Sequence, residues 1–279
     1  MSSNTVLSQD DFNKIRDLIC ERTGMYFDDR KLSFLEKRIQ DRMKKLGIDT
    51  FFNYFFNIKF GENSTELQFL IDMITTNETY MFREYEQLES FANSCLPEVL
   101  KEKKTRGNNE IKIWSAGCST GEEAYTLAVI LRECLEDIDQ WNVSIYATDI
   151  DTSVLKKCEA AIYSERSVKE MPTEYFARHI KIVPGGYMIS PDTKKLVKPM
   201  HLNLMDRASM RGMRGFDFIF CRNVLIYFDD NGRKEVVDNF YNSLNHNGYI
   251  FLGHSESVGR ITTAFRLKRM GGFLVYCKS

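Results

Sequence analysis

The feature that most constrains the fold of this chain is a regular alternation of strand and helix patterns that begins near residue 111. Apolar runs of strand length alternate with amphipathic helical segments, and the strand runs are IKIWSAG, VSIYATDID, DFIFCRN, YIFLG and FLVYCKS. Such alternation is typical of a parallel sheet covered by helices on both faces, with ligands at the carboxyl ends of the strands. We therefore predict an α/β domain, closed at its edge by an antiparallel hairpin in FRLKRMGGFLVYC.

Residues 1–85 instead carry helical periodicity and no convincing strand, which predicts a separate helical N-terminal domain before an α/β domain at 86–279. SQDDFNKIRDLICERTG has a capping Ser8 and a terminating Gly24. A second predicted helix, RKLSFLEKRIQDRMKKLG, carries seven Lys/Arg against two acids between residues 30 and 46. Arg38, Arg42 and Lys45 share one of its faces, which is either a solvated surface or a docking site for an acidic partner. The aromatic stretch DTFFNYFFNIKF is expected to be core.

The alternation breaks between residues 174 and 201 into short β-like pieces around a Pro-Gly-Gly turn. We interpret this segment as a small β insertion in the α/β domain.

Composition excludes several functional classes. The chain has 279 residues and a net charge of −1, which gives no reason to expect nucleic acid as a partner. No apolar run is long enough to span a bilayer and no signal peptide is evident, so we expect a cytoplasmic protein. We also expect a monomer. The seven cysteines lack metal-ligand spacing and the four histidines form no ligand set, so we expect reduced cysteines and no metal site.

The stretch IKIWSAGCSTGEEAYTLA predicts a strand, a tight turn and a helix. Small residues from Ser115 to Gly121 let the backbone approach a ligand, although a plain tight turn is an equal alternative. The stretch lacks GxGxxG, and Glu122 and Glu123 at the helix start would repel a pyrophosphate but suit an amine. This disfavours NAD.

The stretch ATDID places two acids at the end of the next strand. We expect Asp149 to accept hydrogen bonds from a ribose and Asp151 to cap the following helix. Together with the turn at Gly117, these acids describe a pocket for S-adenosylmethionine, which has a ribose, an amine and a sulfonium but no phosphate.

A cation inside the apolar run FDFIFCRNVLIYF requires an explanation, since burying an unpaired guanidinium costs several kcal/mol. Arg222 must either pair with a neighbouring acid or lie where the strand ends and a ligand begins.

Several of these motifs together resemble the chemotaxis receptor methyltransferases of the CheR family, in order along nearly the whole chain. The resemblance implies a Rossmann-like S-adenosylmethionine-dependent methyltransferase sheet with a small β insertion, preceded by an all-α domain. It also implies methylation of glutamate side chains of chemoreceptors, with S-adenosylhomocysteine as the product. The motifs are TTNETYMFRE (75–84), WSAGCSTGEEAYTLA (114–128), ATDID (147–151), NL (203–204), FIFCRNVLIYF (218–228) and GHSES (253–257).

The resemblance also assigns roles to individual residues. Arg222 and Tyr227 are implied to lie beside the transferred methyl group, and Arg83 is implied to reach the cofactor from the segment between the two domains and to be catalytic with them. Arg38, Arg42 and Lys45 are implied to face the glutamate-bearing receptor helices. The residues implied to bind the cofactor are Asn77, Thr79, Arg83, Gly117, Glu123, Asp149, Asn203, Leu204, Arg222 and Asn223.

Some family members also bind a receptor's C-terminal peptide at the β insertion. Those members have a glycine-rich loop where this chain has ARHIKIVPGG, which argues against such tethering here.

Two alternatives remain from the sequence. A non-catalytic sensor would keep the cofactor pocket, but Arg222 and Tyr227 argue against it. A nucleotide-binding oxidoreductase is disfavoured by the missing GxGxxG.

Overall fold

The computed structural model describes residues 7–61, 65–259 and 261–279. Its N-terminal part is a bundle of four helices whose apolar faces enclose one core, as the helical periodicity predicts. Ser8 and Asp11 form a capping box at the start of the first helix, and Gly24 ends it with a φ of 75°. The helices are α1 (Gln9–Thr23), α2 (Leu32–Leu46), α3 (Phe51–Phe60) and α4 (Thr65–Ile74).

The aromatic stretch in α3 is only partly core. Phe51 and Tyr54 are buried, whereas Phe52, Phe56 and Phe60 are 74%, 56% and 62% exposed. The expectation that this stretch is core is therefore wrong for three of its rings. They follow one another at four-residue spacing and so lie on the side of α3 away from the bundle.

The second part of the chain is built on a seven-stranded sheet in the order β6-β2-β1-β7-β8-β10-β9. The five strands from β6 to β8 are parallel, and β10 and β9 add an antiparallel hairpin, as predicted. The strands of this sheet are β1 (Glu110–Ala116), β2 (Asn142–Asp149), β6 (Val197–His201), β7 (Phe216–Cys221), β8 (Leu244–Leu252), β9 (Phe265–Met270) and β10 (Phe273–Lys278).

Helices cover both faces of this sheet, and the sheet separates two apolar clusters. Phe218 and Phe220 of β7 point into one cluster, while Phe216 and Ile219 point into the other. This opposition explains why β7 is apolar throughout: a central parallel strand is buried on both sides. The helices are α5 (Tyr85–Ser90), α6 (Leu96–Thr105), α7 (Glu122–Cys134), α8 (Thr152–Ala160), α9 (Glu165–Val168), α10 (Thr173–His179), α11 (Pro191–Lys194), α12 (Arg207–Met210) and α13 (Asp230–Ser243).

A three-stranded sheet of β3 (Ile162–Tyr163), β5 (Gly186–Ile189) and β4 (Ile180–Val183) lies beside the large one. It contains the Pro-Gly-Gly turn of the expected insertion. The end of the expected segment, β6, pairs instead with β2 in the large sheet.

The helical bundle packs against the carboxyl ends of the parallel strands. Gln68 of α4 donates to the carbonyl oxygen of Ile150 at 2.7 Å, and Asp72 accepts from Thr152 N at 3.0 Å. Met25 forms a β-bridge with Phe228. The edge where a parallel sheet binds ligands therefore lies under the helical bundle.

Candidate active site

The loop between β1 and α7 passes close to the turn that follows β7. Gly117 has a φ of +73°, and a Cβ at this position would lie 2.4 Å from Val224 Cγ2. Gly121 has a φ of +95°, and its Cβ would lie 2.4 Å from Cys158 Sγ. Both positions therefore require glycine for conformation and for space.

Asp149 ends β2 and is 8% exposed. Its Oδ2 accepts from Ser119 N at 2.8 Å and its Oδ1 from Asp151 N at 2.9 Å. Burial raises the pKa of Asp149 to about 6, although the backbone hydrogen bonds oppose that rise. Each oxygen keeps a lone pair for a further donor such as a ribose hydroxyl.

Asp151 caps α8, as the sequence predicts. Its Oδ1 accepts from Ser153 N at 2.8 Å, and its Oδ2 accepts from Thr75 Oγ1 and Asn77 Nδ2, both at 2.7 Å. Burial acts against ionisation, but these hydrogen bonds outweigh it and hold the pKa of Asp151 below its usual value. The Asn77 amide thus joins the segment between α4 and α5 to the cap of α8.

The two glutamates that begin α7 differ in their surroundings. Glu122 is buried and accepts from Thr120 Oγ1 at 2.5 Å, and its burial raises its pKa. Glu123 accepts from Ser115 Oγ at 2.7 Å, and its Oε2 lies 2.7 Å from Arg222 Nε. Only Glu123 is directed toward the turn after β7.

Arg222 has both a partner and a place at the strand end. Its side chain is 5% exposed, and that of Glu123 is 11% exposed. The Nε–H is not directed well enough for a hydrogen bond, so the contact with Glu123 is a close ion pair. Nη1 donates to Arg83 O at 2.9 Å and to Gln87 Oε1 at 3.3 Å. Arg222 therefore joins α7, the segment before α5 and the end of β7.

Asn223 follows in a left-handed conformation, with a φ of 61°. Its backbone N donates to Glu256 Oε2 at 2.8 Å, and the same oxygen accepts from Gly253 N at 2.8 Å. Glu256 thereby holds the ends of β7 and β8 together. The Oδ1 of Asn223 is buried without a hydrogen-bond partner in the described ranges, so it remains an unused acceptor at the site.

Tyr227 lies in a short 3₁₀ turn, Leu225–Tyr227, that follows the Arg222-Asn223 pair. Its ring is half-buried and packs against the helical bundle and against the apolar cluster of the large sheet that contains Phe216 and Ile219. Its carbonyl oxygen accepts from Tyr26 N at 2.8 Å. The hydroxyl group makes no hydrogen bond within the part of the chain described here, so it is free to contact a substrate.

The remaining residues that were expected to bind the cofactor differ in what their groups contact. The Nη1 of Arg83 donates to Glu78 O at 3.4 Å, and the carbonyl oxygen of Arg83 accepts from Arg222 Nη1. Asn203 donates to Arg22 O at 2.6 Å and accepts from Met205 N at 3.0 Å, so its amide ties the two domains. Leu204 is buried and Thr79 is half-buried.

Sequence reasoning missed two residues that shape the site. Gln87 accepts from Arg222 and donates to Leu252 O at 2.7 Å, and Glu256 joins two strand ends. The GHSES motif contains Glu256, but nothing local predicts that its carboxylate accepts backbone N–H groups from another strand.

The expected docking face of α2 is divided. Arg38 and Lys45 are exposed, whereas Arg42 donates to Glu66 at 2.9 and 2.6 Å. The Arg42 guanidinium also lies 4.4 Å from the centre of the Phe69 ring. Arg42 therefore links α2 to α4.

The groups at the sheet edge fit S-adenosylmethionine. The carboxylates of Glu123 and Asp149 and the unused oxygen of Asn223 are acceptors, which suit hydroxyls, amines and a sulfonium rather than a phosphate. No cluster of three or more potential metal ligands occurs among the residues with described positions. Within the same residues, no helix combines the length and apolar character needed to cross a membrane.

Comparison with known proteins gives two family matches. Residues 10–75 match the model of the CheR methyltransferase all-alpha domain, and residues 77–272 match that of the CheR methyltransferase SAM binding domain. Chemotaxis protein methyltransferase 2 of Vibrio cholerae is 38% identical over 95% of this chain and 91% of that protein. The chemotaxis protein methyltransferase of Borreliella burgdorferi is 35% identical over 91% of this chain and 90% of its own length. That of Escherichia coli is 33% identical over 100% and 94%.

Proposed function

The chain belongs to the CheR family of S-adenosylmethionine-binding methyltransferases, and on this basis we propose that it methylates glutamate side chains of chemoreceptors to 5-O-methyl esters. One observation carries the proposal. The acceptor groups of Glu123, Asp149 and Asn223 and the hydroxyl of Tyr227 follow neighbouring strand ends, and Arg222 pairs with Glu123 at this edge.

The chemistry asks little of the protein as an acid or base. A glutamate carboxylate is ionised at neutral pH, so it attacks a methyl group without a general base. S-adenosylmethionine, when bound, supplies that methyl group in electrophilic form. The protein must align the carboxylate and exclude water from it.

Tyr227 and Arg222 divide this task. The Tyr227 hydroxyl is free to orient an oxygen of the incoming glutamate. Arg222 holds Glu123 toward the pocket and fixes the Arg83 carbonyl, so it positions the groups around the transferred methyl group. Glu123 and Asp149 bind the amine and the ribose of the cofactor, and Asn223 offers its unused oxygen.

Recognition of the receptor belongs to the helical domain. Arg38 and Lys45 are exposed on α2 and would speed the encounter with acidic receptor helices. Arg42 contributes through its packing between α2 and α4.

The first experiment mixes the purified protein, labelled S-adenosylmethionine and a chemoreceptor cytoplasmic fragment. We expect label in alkali-labile glutamyl esters, and none in a fragment whose acceptor glutamates are replaced by glutamine. Label on another residue type, or equal labelling of the glutamine fragment, would contradict the proposal.

Tyr227→Phe should lower kcat about tenfold or more with little change in affinity for S-adenosylhomocysteine.

The Arg222→Ala variant should behave differently from Tyr227→Phe. Its loss leaves Glu123 unpaired and releases the Arg83 carbonyl, so affinity for S-adenosylhomocysteine should fall together with kcat. A variant that lost kcat alone would place Arg222 on the substrate and outside the support of the pocket.

A further inference from the structure

The turn that follows α1, residues 22–27, lies against the strand-end loops of the proposed site. Arg22 O accepts from Asn203 Nδ2 at 2.6 Å, so the turn contacts the loop after β6. Tyr26 N donates to Tyr227 O at 2.8 Å, so the turn also contacts the loop after β7. A segment of the helical domain thereby joins two loops of the sheet edge, and it holds the backbone of Tyr227 itself.

Gly24 lies at the centre of this turn. It is buried and has a φ of +75°, in the left-handed region that favours glycine. A Cβ here would lie 2.6 Å from Phe228 Cε1 and 2.7 Å from Met205 Cγ, whereas carbon atoms in ordinary contact are about 3.5–4.0 Å apart. An alanine would therefore displace these side chains, or the turn itself, by roughly 1 Å.

Phe228 has little room to move away from such a side chain. It is 6% exposed, and its backbone is bridged to Met25. A Cβ at Gly232, in the first turn of α13, would lie only 3.1 Å from Phe228 Cδ1, so this helix confines the same ring. Because the ring is enclosed, displacing it moves the backbone of Phe228 and with it that of the preceding residue, Tyr227.

We propose that Gly24 is a positioning residue for methyl transfer, because it lets the turn after α1 approach Phe228 closely and so sets where the Tyr227 hydroxyl meets the substrate. The inference rests on the proposed function, in which Tyr227 orients the incoming glutamate. Gly24 acts through Phe228 and is not itself a catalytic residue. The helical domain thus contributes to the transfer step as well as to receptor docking.

The test compares Gly24→Ala with Gly47→Ala. Gly47 is a matched control, because it ends α2 with a φ of +67°, but a Cβ there would meet no atom of the described residues within 4 Å. Both variants carry the strain of a left-handed alanine, and only one of them meets Phe228. Initial rates with a receptor fragment and saturating S-adenosylmethionine are measured below both unfolding transitions, and calorimetry gives the affinity for S-adenosylhomocysteine.

We expect Gly24→Ala to lower kcat about ten- to a hundredfold, since a misplacement of about 1 Å can cost that much in rate. Its affinity for S-adenosylhomocysteine should change far less, because Glu123 and Asp149 are held by other segments. Gly47→Ala should keep the wild-type kcat. A smaller side chain should relieve the contact, so Gly24→Ala combined with Phe228→Leu should be faster than Gly24→Ala alone.

Fluorine NMR reports on Tyr227 without turnover. In protein labelled with 3-fluorotyrosine, the signal of Tyr227 is assigned by its loss in Tyr227→Phe. This signal should shift in Gly24→Ala and keep its wild-type position in Gly47→Ala.

The outcomes separate the two proposals. If wild type methylates no glutamate of the fragment, the proposed function fails, and the fluorine signal still decides whether Gly24 places Tyr227. If wild type is active but Gly24→Ala matches Gly47→Ala in kcat or in the fluorine signal, the function stands and the assignment of Gly24 is wrong. Equal losses of kcat and of affinity for S-adenosylhomocysteine would also overturn it, because they would place the effect in the cofactor pocket. So would a double variant no faster than Gly24→Ala.

Discussion

At the scale of single residues, Asp149 shows how burial and hydrogen bonding compete. Two backbone amides stabilise its carboxylate, yet removal from water dominates and raises its pKa to about 6. In the ligand-free protein the folded state therefore keeps a proton that the unfolded chain has released. Between about pH 4 and pH 6, the free energy of unfolding should fall as pH rises.

Cofactor affinity should follow the opposite course. A ribose needs the ionised carboxylate as acceptor, so affinity for S-adenosylhomocysteine should fall as pH drops below the pKa of about 6 for Asp149, with a slope approaching about tenfold per pH unit. Calorimetric titrations between pH 5 and 8 measure this. Asp149→Asn should bind more weakly at pH 7.5 but without that slope, which separates Asp149 from Glu122, whose pKa is also raised by burial. A wild-type affinity independent of pH would refute the role of Asp149.

At the scale of elements, α2 combines a structural side and a free side. Arg42 forms a two-point contact with Glu66, whose side chain is 10% exposed, and it stacks on Phe69. Arg38 and Lys45 lie on the same helix but remain exposed. The shared face seen in the sequence is therefore divided between one arginine that ties α2 to α4 and two exposed cations.

Substitutions should separate these purposes. Arg38→Glu combined with Lys45→Glu should raise the KM for a receptor fragment about tenfold at low salt and leave the unfolding transition unchanged.

Arg42→Ala should lower the free energy of unfolding by about 1–3 kcal/mol, because Glu66 is left poorly solvated and unpaired. Steady-state kinetics and urea unfolding test both. Unchanged stability of Arg42→Ala together with a raised KM would instead place Arg42 in the docking surface.

Sequence patterns predict elements better than the contacts between them. The strands, the glycine turn, the Asp151 cap and the antiparallel hairpin follow from local rules, and the structure confirms them. The pairing of Arg222 with Glu123 joins distant segments, and only the sheet order brings them together. The aromatic composition of α3 predicts core residues, but which rings are buried depends on where the neighbouring helices lie.

At the scale of the whole molecule, the helical bundle and the sheet meet over the proposed site. Ile150 and Tyr227, from the strand ends, pack against the core of the bundle. Asp72 of α4 accepts from Thr152 N at 3.0 Å and from Thr152 Oγ1 at 2.6 Å, so it helps to satisfy the free amides that begin α8. The bundle therefore stabilises the helix whose cap, Asp151, also holds Asn77.

This coupling predicts that Asp72→Ala affects stability and cofactor binding together. The loss of the hydrogen bonds to Thr152 should lower Tm by about 5 °C, broaden or split the calorimetric transition, and weaken binding of S-adenosylhomocysteine by loosening the Asp151–Asn77 contact. Asp10→Ala is the matched control, because Asp10 is exposed on α1 and its ion pair is with Lys14 of the same helix. If both variants unfold and bind alike, the two domains are not coupled through Asp72, and the cofactor pocket is supported by the sheet alone.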